Sequence, residues 1–515
     1  MADEELRETE RAWRAAPDDQ ATLARLIAAL RRAGQVVPEA LLDARVQPAR
    51  TFRSEAGAWI HVTLPDGAER HLGSTHAASG ELCLPEHRSF EVITRSQRNS
   101  SELLRIAAEC EDQRVERVRV AVDVAEDSAM VARTFITPHL THFELFSAAL
   151  YEPELLASLL RELPRAPLVS LGLHDATVAG GLGGLIAARA LESLRLGLPE
   201  GTVEAQLHGL GSLSRLRSLS LSGHVDPTDL DTALRLGARF IESFEPSPGL
   251  VALDLDDCGA DGGLLRAIAR HEGLRTLRLR GLAHRIQDQD VAALRGRPLE
   301  DLVLPGRHLT DASLATLASL GRLRDLDLGP GRYTAGGLQL LPMELVRLWT
   351  NPAGDLSWLP RLVNLRALGL TLDERQVSLA TLAQAPNLES LELWGLYRAA
   401  PPRGLAVVRK LLQLRTLVLS VPSGSLRPLE GHPTLEEIRV YGGDWGDDGL
   451  ACLAAIPRLR RVSIRRTPRV TGATLRVLRS CRSLQEVELD DEVFGQEAIE
   501  ALRRDLPGVE VNPFA

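Results

Sequence analysis

Lysine is all but missing from this chain: of its 60 Lys and Arg residues one is a lysine, Lys410, and Leu411 follows it. That excludes a P-loop, whose phosphate cradle needs Lys followed by Ser or Thr, and leaves Schiff-base chemistry one candidate residue. The Arg-for-Lys bias, with abundant Ala, Gly and Leu, is what GC-rich coding produces and makes no case for special Arg chemistry. Cysteine is nearly as scarce. Cys83, Cys110, Cys258, Cys452 and Cys481 are odd in number, widely spaced and never arranged as CxxC, which argues against a disulfide framework or a zinc knuckle. No run of about 18 apolar residues occurs, and MADEELRETE has neither a basic n-region nor an apolar h-region, so a cytoplasmic protein outside the membrane is expected. The formal net charge of -9, with both signs interspersed and no basic block, argues against nucleic acid as the main partner.

What the chain has is leucine. Of 94 Leu, 15 fall in the first 150 positions and 79 in the remaining 365, which marks a boundary between an ordinary head and a Leu-periodic body. The pattern LxxLxL recurs from Leu168, Leu191, Leu216, Leu250, Leu274, Leu299, Leu323, Met343, Leu365, Leu388, Leu414, Leu435, Leu459 and Leu484. Two degenerate copies precede these, Val115 with Val118 and Val120, then Leu140 with Phe143 and Leu145, for about sixteen units. The last two apolar positions of each copy stand two apart, as on one face of a strand, while stretches such as DASLATLASLGRL carry Leu314, Leu317 and Leu320 at helical spacing. Each unit therefore reads as strand, turn and helix. One unit cannot bury its Leu face, but stacked units share a continuous core in which a fully buried Leu contributes roughly 1.5 to 3 kcal/mol.

This pattern resembles the leucine-rich repeat family over roughly residues 115 to 511. LDLDDCGADGGLLRAIA at 253 to 269 and VLRSCRSLQEVEL at 477 to 489 are similar to the cysteine-containing, F-box-associated subtype of bacterial proteins, although no F-box is present in the head. The resemblance implies an α/β fold: a curved leucine-rich-repeat solenoid with a parallel concave sheet, and protein recognition as its usual role. Four segments are expected: an N-terminal helical module over 1–44, a small β-rich capping element over 45–111, the solenoid over 112–490 and a C-terminal cap over 491–515. In the first, Asp18 or Asp19 caps a helix with the apolar stripe Leu23, Leu26, Ile27 and Leu30, a pattern similar to a helical domain that accompanies repeats in some bacterial proteins. In the second, Ile60, Val62 and Leu64 alternate with polar residues ahead of the turn Pro65-Asp66-Gly67.

Catalytic and metal motifs do not assemble. His61, His71, His76, His87 and Cys83 cluster in sequence, but their spacings match no familiar ligand set. His139 and His142 stand at HxxH spacing, yet the repeat phase makes His142 a surface residue of the sheet. His271-Glu272 lacks the second His of a zincin, and Gly180-Gly181-Leu182-Gly183-Gly184 opens a repeat helix rather than a dinucleotide fold. Neither a cofactor, a metal nor an enzyme activity is expected.

The aromatics carry the functional signal. Trp and Tyr total ten, and seven of them, Tyr333, Trp349, Trp358, Trp394, Tyr397, Tyr441 and Trp445, fall between 333 and 445. If positions one, four and six of LxxLxL point inward, then three, five and seven face the concave side. Trp349, Trp394 and Tyr441 follow the last core residue of their copies, at position seven, and Arg347, Glu392 and Arg439 occupy position five. These residues, with Trp445 and Tyr397, are the expected partner-binding set. The competing reading is that the aromatics fold back over thin repeats near Met343, where the spacing is short. Asp254, Asp256, Arg278, Arg280, Asp301, Asp325 and Asp327 form a second, mixed-charge lane that reads as a self-neutralising ladder. The expected function is a non-catalytic scaffold binding another protein. The alternatives are a substrate-recognition or GTPase-activating-type regulatory subunit of an enzyme system, or an activity carried by the head.

Overall fold

The structure, a computed structural model, describes residues 9, 12–13, 19–32, 41, 45–56, 58–65, 69–75, 80–94, 100–122, 134–147, 159–174, 182, 185, 188–198, 207, 210–223, 235–236, 238–242, 249–281, 285–353, 355–372, 379–395, 405–420, 425–506 and 508–514. The chain divides into two compact units, residues 1–274 with 280–284, and residues 275–279 with 285–515.

In the first unit the helix Gln20–Arg32 buries Leu23, Leu26, Ile27 and Ala29 at helical spacing, with Leu41, Trp13 and Leu30 packed against them. The strand Trp59–Thr63 turns Ile60 and Val62 inward and pairs antiparallel with Glu69–Ser74 and Ser89–Ile93. Ser89–Ile93 then pairs in parallel with Arg117–Val122, so this antiparallel element runs directly into the repeat sheet. Helix Ser100–Asp112 lies between them in sequence and buries Leu103, Ile106, Ala107 and Cys110. From Arg117–Val122 the strands His142–Ser147, Ser170–His174, Ser193–Gly197, Ser218–Ser222 and Ala252–Asp256 pair in chain order, all parallel. Val115, Val118, Val120, Leu140, Phe143 and Leu145 are all buried, so the two degenerate copies have the phase read from the sequence.

The second unit repeats the arrangement. Strands Thr276–Arg280, Asp301–Val303, Asp325–Asp327, Arg347–Thr350, Ala367–Leu372, Ser390–Gly395, Thr416–Ser420, Glu437–Tyr441, Arg461–Arg465 and Glu486–Asp490 pair in parallel, each with the next, and Glu510–Phe514 adds to the last of them. One peptide contact recurs throughout. In copy after copy within each unit the carbonyl at position two accepts from two consecutive amides of the next copy, as Arg324 O does from Val346 N at 2.8 Å and Arg347 N at 3.0 Å. The strands return through α-helices such as Asp311–Leu317 and Gly472–Arg479, but through 3-10 turns at Leu359–Arg361, Leu379–Gln384, Leu405–Lys410 and Arg427–Leu429. The architecture is an α/β leucine-rich-repeat solenoid, with positions one, four and six of each copy in the core.

Side chains tie neighbouring helix starts together. Asp288 accepts from the backbone N–H (2.8 Å) and hydroxyl (2.6 Å) of Thr310. Asp311 does the same for Thr334, and Asp447 for Thr471, so one carboxylate at the start of a helix holds the threonine that caps the helix of a later copy. Asp447 also accepts from the N–H and hydroxyl of Thr474, at 3.1 and 2.6 Å, and these four bonds outweigh burial and lower its pKa.

Candidate functional site

Side chains at positions three, five and seven project from the sheet face opposite the helices and turns. On that face of the second unit Trp394 is 39% exposed, one of the few large apolar side chains left open to solvent. Its ring stacks on Tyr441, with centroids 5.9 Å apart and planes 12° from parallel. The strand Thr416–Ser420 lies between the two ring-bearing strands, and Ser420 is the register partner of Trp394. Strands two apart stand about 9.6 Å from one another, so the rings lean together over a small side chain. Each ring is also held from its own flank. The Trp394 indole N–H donates to Glu392 Oε2 at 3.0 Å, and the Arg465 guanidinium lies 5.6 Å over the Tyr441 ring. Arg465 is fixed in turn by Glu488 at 2.7 Å.

Arg439 and Arg461 converge on Glu437, which is almost wholly buried, at 2.5 and 3.2 Å. Burial works against the Arg439 charge, but Glu437 and Tyr441 outweigh it and its pKa is raised. Of the residues expected to bind a partner, Trp394, Tyr441, Glu392 and Arg439 therefore form one neighbourhood, with Arg465 an addition the sequence reading did not make.

Three others of that set, Trp349, Arg347 and Trp445, are placed differently from the expectation. Leu345 is buried and Met343 is 47% exposed, so the copy begins at Leu345, two residues later than the apolar pattern suggested. Trp349 consequently pairs with Asp327 and Gly369 at position five, and Arg347 with Asp325 and Ala367 at position three. Trp349 is not in the column of Trp394 and Tyr441. Its indole lies against Gly369, where an added Cβ would come within 1.8 Å of Cδ1. Arg347 is committed to Asp325, its Nη2 2.8 Å from Oδ2. Trp445 is fully buried, as are Tyr333 and Trp358, because in these copies the aromatic ring fills core that a Leu would otherwise occupy; none of the three presents a surface. Tyr397 lies outside the described residues.

The charge ladder closes on itself as expected, with Arg280 on Asp254 at 3.1 Å in the first unit and Arg278 on Asp301 at 2.5 Å in the second. Within the His/Cys group, His61 is the register partner of His71, Cys83 pairs across a separate two-stranded sheet with Thr51, and buried His87 bridges Gln47. His76 and most of the glycine run at 180–184 lie outside the described residues.

A second neighbourhood, on the sheet face of the first unit, was not singled out from sequence. Glu144 is bound by Arg119 at 2.7 Å, Arg195 at 2.8 Å and His174 at 2.9 Å. Burial alone would raise its pKa, but the His174 hydrogen bond and the two Arg charges outweigh it and hold the carboxyl at about 2. Gly172 leaves room for the Glu144 side chain, which a Cβ would meet at 2.8 Å, and Phe146 stacks on His174 at 3.9 Å. The available signal was alternation along position five, Arg119, Glu144, Gly172 and Arg195, residues that share one row of the sheet.

No protein-family model matches the chain, and no curated protein matches it. Among solved structures it is similar to an internalin from Listeria monocytogenes, at 13% identity over 69% of this chain and 81% of that one, with a TM-score of 0.33. A leucine-rich-repeat protein of Leptospira interrogans is 15% identical over 81% of this chain and 100% of its own, with a TM-score of 0.34. The leucine-rich-repeat ectodomain of a membrane receptor kinase from Arabidopsis thaliana is 15% identical over 76% of this chain and 54% of its own, with a TM-score of 0.31.

Proposed function

We propose that this chain is a non-catalytic scaffold that binds another protein through the sheet face of its second unit. The observation that carries the proposal is the Trp394–Tyr441 stack, a large amphipathic surface held open on rigid parallel strands. Tyr, Trp and Arg dominate protein-protein hot spots, and side chains already ordered in the free protein lose little entropy on binding. Glu392, Arg439 and Arg465 surround the rings with both charge signs, which suits them to orienting a partner rather than attracting any polyanion. In this reading residues 1–44 and 45–111 serve as head and cap to an array over 112–490, closed by 491–515.

The cysteine-containing repeat subtype is supported by Cys258, fully buried and aimed at Leu221 O at 3.7 Å, and by buried Cys481. The free cysteines, four of them buried, favour a reducing compartment such as the cytoplasm.

Affinity capture from native lysate with identification by mass spectrometry tests the proposal, using wild type, Trp394→Ala/Tyr441→Ala and, as a control, Val363→Ala, an exposed apolar residue in a turn. A protein retained by wild type and Val363→Ala but lost from the double variant is the expected result. Identical capture by all three would overturn it.

A further inference from the structure

Most arginines on the sheet face of the second unit are spent on carboxylates, as Arg278, Arg347, Arg439 and Arg465 are. Arg307 and Arg332, which lie in turns beyond the strands, are not: among the described residues neither forms an ion pair. Both line a cavity of about 460 Å³ with His308, Gln287, Gln289 and the Asp288–Thr310 pair. The cavity sits where the turns that follow successive strands lie side by side, away from the Trp394 face. We infer that it is a binding site for a phosphomonoester, with the guanidinium groups of Arg307 and Arg332 as its principal ligands.

Four features carry this. The lining is rich in donors and nearly without apolar side chains, which excludes a hydrophobic ligand. Its one carboxylate, Asp288, has its oxygens engaged by the N–H and hydroxyl of Thr310 and is not competing for the arginines as an ion-pair partner. Two planar guanidinium forks, an imidazole and two carboxamides offer more donors than the two oxygens of a carboxylate can use. They suit the three acceptor oxygens of a phosphomonoester dianion.

The backbone that presents them is also fixed. Gly306 allows its turn to approach Leu328 O so closely that a Cβ would stand 2.0 Å away, and Gly331 lies against the buried Tyr333 ring. Arg332 N donates to Leu309 O at 3.0 Å across a parallel bridge with Thr310. The turns carrying the two arginines are therefore ordered before any ligand arrives, which lowers the entropic cost of gathering two like charges.

The test is calorimetric titration of the full chain with inorganic phosphate and, separately, with O-phosphoserine, at constant ionic strength. The variants are Arg307→Gln/Arg332→Gln, Arg332→Lys, and Arg322→Gln as an exposed control outside the cavity. Saturable phosphate binding that weakens at least about tenfold in the double variant, less in Arg332→Lys and not at all in Arg322→Gln is the expected result. Tighter binding of O-phosphoserine than of phosphate would assign the site to a phosphorylated side chain, and equal binding to free phosphate. Binding that never saturates, or that the double variant leaves unchanged, overturns the inference. All three arginines are exposed, and circular dichroism of each variant separates lost binding from lost fold.

Discussion

Asp447 should be worth far more to the fold than its partly exposed position suggests. Replacing it with Ala removes the acceptor of four hydrogen bonds, from the N–H and hydroxyl of Thr471 and of Thr474. The two groups of Thr471 can turn to water, and its hydroxyl still caps the helix through Ala473 N at 3.2 Å. Thr474 is fully buried; its N–H keeps a second acceptor in Thr471 O at 3.0 Å, but its hydroxyl has no such recourse. Taking about 1 to 1.5 kcal/mol for the stranded Thr474 hydroxyl and a few tenths for each of the other three bonds gives a loss of about 2 kcal/mol. In a repeat array that loss is local, because each copy contacts only its neighbours. The assay is therefore native hydrogen exchange read by mass spectrometry on peptides from Gly472–Arg479, where protection should fall about 30-fold. Peptides from Gly262–Ile268 should be unchanged. Asp448→Ala, at the exposed neighbouring position, should cost less than about 0.5 kcal/mol. In a Thr474→Val background the Asp447→Ala penalty should shrink by more than half. Protection in Gly472–Arg479 within twofold of wild type, or a penalty that Thr474→Val leaves intact, would refute the idea that these carboxylates clamp successive copies.

Gly369→Ala places a Cβ 1.8 Å from the Trp349 ring, so the indole must lift from the sheet; tryptophan emission should shift to the red with a stability loss of about 1 to 2 kcal/mol in urea. Glu144, whose pKa is depressed from an ordinary 4.5 to about 2, contributes stability in full above pH 4.5 and loses it as the pH falls toward 2. The difference in unfolding free energy between wild type and Glu144→Gln, about 3 kcal/mol at most near neutrality, should therefore vanish across that window. A soluble thiol reagent should modify Cys83 rapidly and the other four cysteines only after denaturation, since burial pushes Cys258 up to about 12 and Cys452 and Cys481 up to about 11.

The repeat frame was readable wherever Leu filled positions one, four and six, and even Val115 and Phe143 kept the phase, because side chains of similar volume pack the same interior slot. It slipped at one copy. Position six there is Thr350, only 3% exposed, so Met343, Val346 and Leu348 outscored the true set of Leu345, Leu348 and Thr350. A slip of two residues preserves the strand's alternation, which is why Trp349 was placed on the correct face but in the wrong lane. Trp445 was misjudged for a different reason. It lies beyond the strand Glu437–Tyr441, where period two no longer tells inside from outside. The Glu144 group is harder to read because its members come from separate copies and each alone reads as an ordinary surface residue; only the alternation along position five joins them.

The seat beneath the paired rings limits how this array can change by gain or loss of whole copies. Cores of adjacent copies are interchangeable, since each offers the same apolar triplet, yet the copy holding Ser420 must keep a small side chain beneath the two rings. A duplication inserted there would spread the rings to about 14 Å between strands, and a deletion would press them onto adjacent strands about 4.8 Å apart. Either event leaves the fold intact while abolishing the stack, so the spacing of a recognition surface can be lost without any cost to folding.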